Sequence, residues 1–195
     1  MPSILVIDNV DSFTFMLVDY LLSLGAEVRV VRSTDISASD ALALGADGYL
    51  ISPGPGTPDQ AGISVELARA CIAERRPLLG VCLGHQAIGA ACGATNHRVP
   101  PVHGKTGEIR TDGTGLYAGL PACFSVTRYH SLAMTEVTGP LVANAWSEDG
   151  VIQGVRHLQA PVHGIQFHPE SVASQHGHAL LGRFLNECEG PKSNT

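Results

Sequence analysis

Short apolar runs that alternate with helix-like stretches constrain this chain more than any other feature. Ile4 to Ile7 is continuously apolar, Glu27 to Val31 reads as a second strand and Gly48 to Ile51 as a third, and Leu78 to Val81 is a fourth, apolar strand. A short segment that is apolar at successive positions, rather than at alternate ones, reads as a strand buried on both faces. Between these runs the pattern predicts a helix capped by Ser12 that reaches about Leu24 and stops at Gly25. A second helix is predicted from about Gly62 to Glu74. Strand, helix and strand at this spacing form right-handed βαβ units and therefore a parallel sheet. From Thr95 to Gln166 the β-like runs are short and broken by Gly, Pro and Asp, which predicts antiparallel strands at one edge, closed by a helix from about Gln175 to Glu187. The fold class expected is α/β, an open and mostly parallel sheet flanked by helices with an antiparallel edge in the second half. Residues 1–190 read as one domain and 191–195 as a frayed tail.

The segment with most chemical content is Gly80-Val81-Cys82-Leu83-Gly84, placed after the last of these strands and before a helix. It has the form of the G-x-S-x-G nucleophile elbow with Cys in place of Ser. Flanking glycines permit the tight turn that lifts the thiol above the sheet, and backbone N–H groups at the following helix N-terminus favour a thiolate. On this motif alone, a small buried cysteine in a glycine-flanked turn is the competing reading. A nucleophilic cysteine needs a base and a group to orient it. Gln166-Phe167-His168-Pro169-Glu170 offers both, with His168 as base and Glu170 to fix its tautomer. Ser52-Pro53-Gly54-Pro55-Gly56 follows the third strand, and its glycines, with Leu83 after the nucleophile, are candidate N–H donors to an oxyanion. An ordinary tight turn is the alternative there.

Composition removes other classes. The net charge of −6 and the lack of a basic stripe argue against a nucleic-acid partner. No apolar run approaches the roughly 18 residues needed to span a membrane. The N-terminal residues do not read as a signal peptide, and the five cysteines show no C-x-x-C spacing, so a cytoplasmic location with free thiols is expected. Of the nine histidines only His176 and His178 are close neighbours, with no ligand-like Cys or carboxylate spacing around them, so no metal is expected.

The three chemical segments together resemble the class I, triad-type glutamine amidotransferases. Asp8-Asn9-Val10-Asp11-Ser12-Phe13-Thr14, His103-Gly104-Lys105-Thr106, Thr127-Arg128-Tyr129-His130-Ser131-Leu132 and Gln175-His176-Gly177-His178 narrow the resemblance. They look like the small subunits of anthranilate synthase and aminodeoxychorismate synthase, over about residues 3 to 188. The resemblance implies a flavodoxin-like fold, a Cys82–His168–Glu170 triad, and an oxyanion site at Gly54 and Leu83. It implies glutamine contacts at Gly54, Pro55, Gly56, Gln86, Ser131 and Leu132. It also implies that Asp8, Asn9, Ser12, His103 and Lys105 face the large subunit of a synthase.

The activity implied is hydrolysis of L-glutamine to glutamate, with ammonia passed to a chorismate-using large subunit that makes aminodeoxychorismate, anthranilate or both. No cofactor is implied for this chain, and Mg²⁺ belongs with the partner. The site is expected to be poorly assembled alone and to tighten when the synthase binds chorismate. The rival readings are a free-standing γ-glutamyl hydrolase and an amidotransferase for another ammonia-dependent synthase. Met16, Val10 and Gly107 depart from the subgroup, which usually has Asn, an aromatic and Ser there.

Overall fold

The computed structural model describes residues 1–190; the frayed tail expected at 191–195 lies outside the described residues. The parallel half is built from β1 (Ser3–Asp8), β2 (Glu27–Arg32), β3 (Gly48–Ile51), β4 (Leu78–Val81) and β9 (Val162–Ile165). The antiparallel strands are β5 (Asn96–Thr111), β6 (Cys123–Met134), β7 (Leu141–Ser147) and β8 (Ile152–His157). All nine join one sheet in the order β2-β1-β3-β4-β9-β8-β7-β5-β6. The change from parallel to antiparallel falls at β9, whose one neighbour, β4, runs parallel and whose other, β8, runs antiparallel.

The continuous apolar runs are explained by what covers them. Ile4 and Val6 of β1 join a core with α1 (Phe13–Ser23) and α5 (Gly177–Cys188), while Leu5 and Ile7 join a second core with α3 (Ser64–Glu74) and α4 (Leu83–Ala91). Successive side chains of a strand point to opposite faces, so a strand between two helical layers must be apolar throughout. Each fully buried Leu or Ile contributes roughly 1.5–3 kcal/mol relative to exposure.

Three local expectations change. Ser12 does not cap α1 with its side chain; Asp11 takes that role, its Oδ1 accepting from the Phe13 N–H at 2.8 Å. A further helix, α2 (Ala38–Ala43), is capped by Ser37, whose hydroxyl accepts from the Asp40 N–H at 3.1 Å. The second half is not made of short strands alone, since β5 and β6 form one long antiparallel pair. Two register shifts, between Arg98 and Val102 and between His103 and Lys105, absorb Pro100, Pro101 and Gly104. Among the described residues no helix is long and apolar enough to cross a membrane.

Candidate active site

The turn between β4 and α4 presents Cys82 at the carboxyl end of the parallel sheet, the usual location of sites in open α/β folds. Cys82 has φ 53° and ψ −101°, a backbone state that costs about 1–3 kcal/mol and persists only where its surroundings impose it. Those surroundings are two close backbone approaches. A Cβ on Gly80 would overlap the carbonyl of Gly84, and a Cβ on Gly84 would overlap the carbonyl oxygen of Ile51. The Cys82 N–H donates to the Ile165 carbonyl at 2.8 Å, tying the elbow to β9. Leu83 is the first residue of α4, so its N–H has no acceptor within the helix and is available to a ligand.

The loop after β3 is held against Leu83 by Asn9. Asn9 donates its backbone N–H to Ser52 Oγ at 2.9 Å and its side-chain amide to the Ser52 carbonyl at 3.1 Å, and accepts from Ser64 Oγ at 3.2 Å. A Cβ on Gly54 would lie 2.5 Å from Asn9 Cβ and 2.8 Å from Leu83 Cδ2, so only glycine fits there. Pro55 and Gly56 are exposed beyond it.

His168 and Glu170 follow β9 and form a short contact, 2.6 Å between His168 Nδ1 and Glu170 Oε1. A carboxylate only accepts, so Nδ1 carries the proton and Nε2 is turned towards the thiol side. Both residues are buried, at 3 % and 0 % exposure. The segment is fixed from behind: the His168 N–H donates to the Thr127 carbonyl at 3.0 Å, and Ser174 Oγ donates to the His168 carbonyl at 2.6 Å. Burial alone would lower the His168 pKa. The Cys82 sulfur and the Glu170 carboxylate outweigh it and hold the imidazole up, at about 10. Electrostatic proximity is not yet alignment, because Nε2 makes no hydrogen bond with the sulfur or any other described group. The Cys82 thiol instead donates to the Tyr129 carbonyl at 3.7 Å and accepts from Gln166 Nε2 at 3.6 Å.

Rings complete the site. Phe13 packs against His168 with centroids 4.8 Å apart, and Tyr129 meets His168 at 6.4 Å and His103 at 5.4 Å. Gln86, one turn into α4, donates through Nε2 to the Leu132 carbonyl at 2.9 Å and to Gln166 Oε1 at 3.1 Å. Ser131 is exposed and lies opposite the irregular stretch of β5 that contains Pro100 and Pro101, where prolines offer no ladder donor.

Cys82, His168, Glu170, Gly54, Leu83, Gln86 and Leu132 are thus connected around one centre, with Ser131 at its edge. Of the five residues expected to face a partner, Ser12, His103 and Lys105 are exposed. Asp8 and Asn9 are not: they are 7 % and 5 % exposed. Asp8 Oδ1 accepts from the Val10 N–H and from Thr14 Oγ1, both at 2.9 Å. These two residues hold loops from inside and present little surface. Gln166, Phe13 and the Tyr129 carbonyl, none of which is expected from the sequence to act in the chemistry or hold glutamine, touch Cys82 or His168 directly. Among the described residues, no group of three His, Cys, Asp or Glu side chains is disposed to hold a metal ion.

An α/β sheet with a cysteine elbow at its carboxyl edge, beside a buried His–Glu pair, is an arrangement able to support thiol-dependent acyl transfer. The chain belongs to the family described as glutamine amidotransferase class-I, which it matches over residues 5–188. It is 49 % identical over 197 residues to anthranilate synthase component 2 of Mycobacterium tuberculosis, covering 98 % of this chain and 85 % of that protein. It is 50 % identical over 190 residues to aminodeoxychorismate synthase component 2 of Serratia marcescens, covering 94 % and 99 %. A solved structure from Thermoplasma acidophilum, assigned to GMP synthase, superposes with a TM-score of 0.86 at 26 % identity, covering 97 % of this chain and 94 % of that one.

Proposed function

We propose that this chain hydrolyses L-glutamine and delivers the ammonia to a chorismate-using synthase subunit, with Cys82 as nucleophile. The observation that carries the chemistry is the strained elbow facing the 2.6 Å His168–Glu170 contact. The Cys82 thiolate attacks the glutamine side-chain carbonyl carbon, and the oxygen takes up the electron pair beside the N–H groups of Gly54 and Leu83. Collapse expels the nitrogen, which takes a proton from His168 Nε2 and leaves as ammonia, giving a γ-glutamyl thioester. His168, now neutral, takes a proton from water; the hydroxide attacks the thioester and expels the thiolate, yielding glutamate. Glu170 keeps the imidazole in the tautomer both steps need. Gln86, Ser131, Leu132 and the Gly54–Gly56 loop hold the amino-acid end of the substrate.

The choice of acceptor rests on the relatives. Identity is about twice as high to the component 2 proteins as to the GMP synthase structure. The proposal covers anthranilate and aminodeoxychorismate alike, since the chain is 49 % and 50 % identical to the two kinds of relative. Ser12, His103 and Lys105 form part of the docking face, continuous through Tyr129 and Phe13 with His168. The acceptor chemistry, and Mg²⁺ where it is used, belong to the synthase. A cytoplasmic setting accords with five cysteines that are all free thiols.

Glutamate release from glutamine is to be measured for wild type and Cys82→Ser, each alone and with a chorismate-using synthase subunit. The expected result is a loss of about a thousandfold or more in Cys82→Ser, and a wild-type rate raised by synthase plus chorismate. Undiminished turnover by Cys82→Ser would remove the nucleophile assignment. A wild type that is fast alone and indifferent to the synthase would instead establish a free-standing γ-glutamyl hydrolase.

A further inference from the structure

The geometry points to Gln166 as a catalytic residue: its side-chain amide donates a hydrogen bond to the reacting sulfur of Cys82 while its carbonyl oxygen fixes Gln86 for the substrate. The inference rests on Cys82 being the nucleophile and adds a group to that site. Gln166 is fully buried, and its Nε2 lies 3.6 Å from Cys82 Sγ, within hydrogen-bonding reach of sulfur. Its Oε1 accepts from Gln86 Nε2 at 3.1 Å, and the same Gln86 nitrogen donates to the Leu132 carbonyl at 2.9 Å. With both acceptors placed around Gln86 Nε2, the Gln86 amide is oriented and its oxygen is left for the substrate's ammonium.

The backbone explains why this amide is so well placed. Gln166 follows the last residue of β9 directly, and its N–H donates to the Gln153 carbonyl at 3.0 Å. The Cys82 N–H is bound to the carbonyl of the preceding residue, Ile165. The Ile165–Gln166 peptide unit therefore holds both, its carbonyl fixing the nucleophile's backbone and its N–H fixing that of the amide. A thiolate is stabilised by hydration in water and is costly to bury without a hydrogen-bond donor, and Cys82 is only 8 % exposed. The thiol form has another acceptor, the Tyr129 carbonyl, which a thiolate cannot use. An N–H donor at the sulfur therefore favours the reactive form over the resting one, and does so before any substrate arrives. It also becomes free to follow the sulfur when the thioester forms, since the bonded sulfur remains a weak acceptor.

Two substitutions separate the amide's two duties. Gln166→Glu keeps an acceptor for Gln86 but removes the donor and brings a carboxylate to the sulfur. Gln166→Met keeps the volume and removes both. The readouts are glutamine kcat and KM, and site-resolved alkylation of Cys82 by iodoacetamide against pH. For Gln166→Glu, KM is expected to stay within about twofold, while kcat and the alkylation rate at pH 7 fall about tenfold or more and the alkylation profile moves to higher pH. For Gln166→Met, kcat falls and KM rises together. In wild type, the Gln166 side-chain amide resonance should titrate with the midpoint of Cys82 alkylation, a check that needs no variant to fold. A flat amide resonance across that midpoint, or a wild-type alkylation profile in Gln166→Glu, overturns the inference. Neither outcome depends on Cys82→Ser: if that variant stays active the nucleophile reading fails first, and if it is dead while Gln166→Glu is unaffected, only the role of Gln166 fails.

Discussion

Val10 shows at the scale of one residue how the loops near the site are held under strain. It has φ 61°, and a β-branched side chain in the left-handed region is unfavourable by roughly 1–2 kcal/mol. It is also 58 % exposed, so little packing offsets that cost. The loop is held in this state by Asp8, which accepts the Val10 N–H, and by Asn9, which clamps Ser52. Val10→Asn, which tolerates the left-handed region, should therefore raise stability by about 1 kcal/mol in chemical denaturation; a neutral or destabilising result would mean that the valine side chain has packing value its exposure conceals. At Gly84 the sign reverses. A methyl group there meets the Ile51 carbonyl, and Gly84→Ala is expected to cost about 3 kcal/mol with loss of turnover. Cys82, His168 and Glu170 were legible in the chain because each lies in a short motif whose neighbours, two glycines and a proline, announce the required turn. Gln166 was not, although it stands two residues from His168. A buried glutamine gains its meaning only from partners such as Cys82 and Gln86, which lie 84 and 80 residues away in the chain. Asp8 and Asn9 were misread for a related reason: an Asp-Asn loop reads as exposed unless the acceptors waiting for it are known.

Elements set the distance between the proposed docking face and the proposed chemistry, and here that distance is one ring. The N-terminus of α1 places Phe13 on His168 at 4.8 Å, and the β5–β6 pair brings Tyr129, 47 % exposed, onto both rings. The Tyr129 carbonyl also holds the Cys82 thiol, so movement of β6 reaches Cys82 as directly as movement of α1 reaches His168. A subunit that covers Tyr129 and His103 can bring Nε2 into line with the sulfur through these contacts. Phe13→Ala should therefore lower synthase-stimulated kcat on the order of ten- to a hundredfold, with little change in KM, and Phe13→Leu should restore most of it. An equal rate in the Ala variant would show that His168 is held adequately by Glu170 and Thr127 alone. This coupling was hidden in the chain at the level of elements. β1, β3 and β4 match the sequence reading almost to the residue, because burial on both faces leaves a run of apolar residues and no other pattern, whereas β9, inside the stretch expected to be antiparallel, pairs parallel with β4. By contrast, β5 is mostly exposed and contains Pro100, Pro101 and Gly104, which look like interruptions until the register shifts that absorb them are known. The six-residue α2 was missed because it is under two turns long, with Ser39 and Asp40 in its first turn, too short to show a helical apolar period.

Across the whole molecule, buried histidines pull stability in opposite directions with pH. Burial lowers His85, and burial with the nearby Arg128 lowers His130, each from 6.5 to about 4. Both are favoured neutral in the fold, so the stability they contribute is complete above pH 6.5 and is lost as pH falls towards 4. His168 runs the other way, since Cys82 and Glu170 outweigh its burial and raise it from 6.5 to about 10. The stability from its charged form is complete below pH 6.5 and is lost as pH rises towards 10. Cys71 and Cys188 add a later alkaline contribution. Burial holds both thiols neutral, at about 12 against 9.0, so unfolding becomes easier above pH 9 as the unfolded thiols ionise. The melting temperature should therefore fall on both sides of a maximum near pH 6.5. His168→Gln retains an amide donor for Glu170 and removes the titrating ring. It should flatten the decline between pH 6.5 and 9 while leaving the acid side and the steepening above pH 9 in place. If the decline between pH 6.5 and 9 survives in His168→Gln, the catalytic pair is not its source. The raised imidazole would then owe nothing to contacts formed on folding, and the charged His168 assigned to the first proton transfer would have to be created by substrate binding instead.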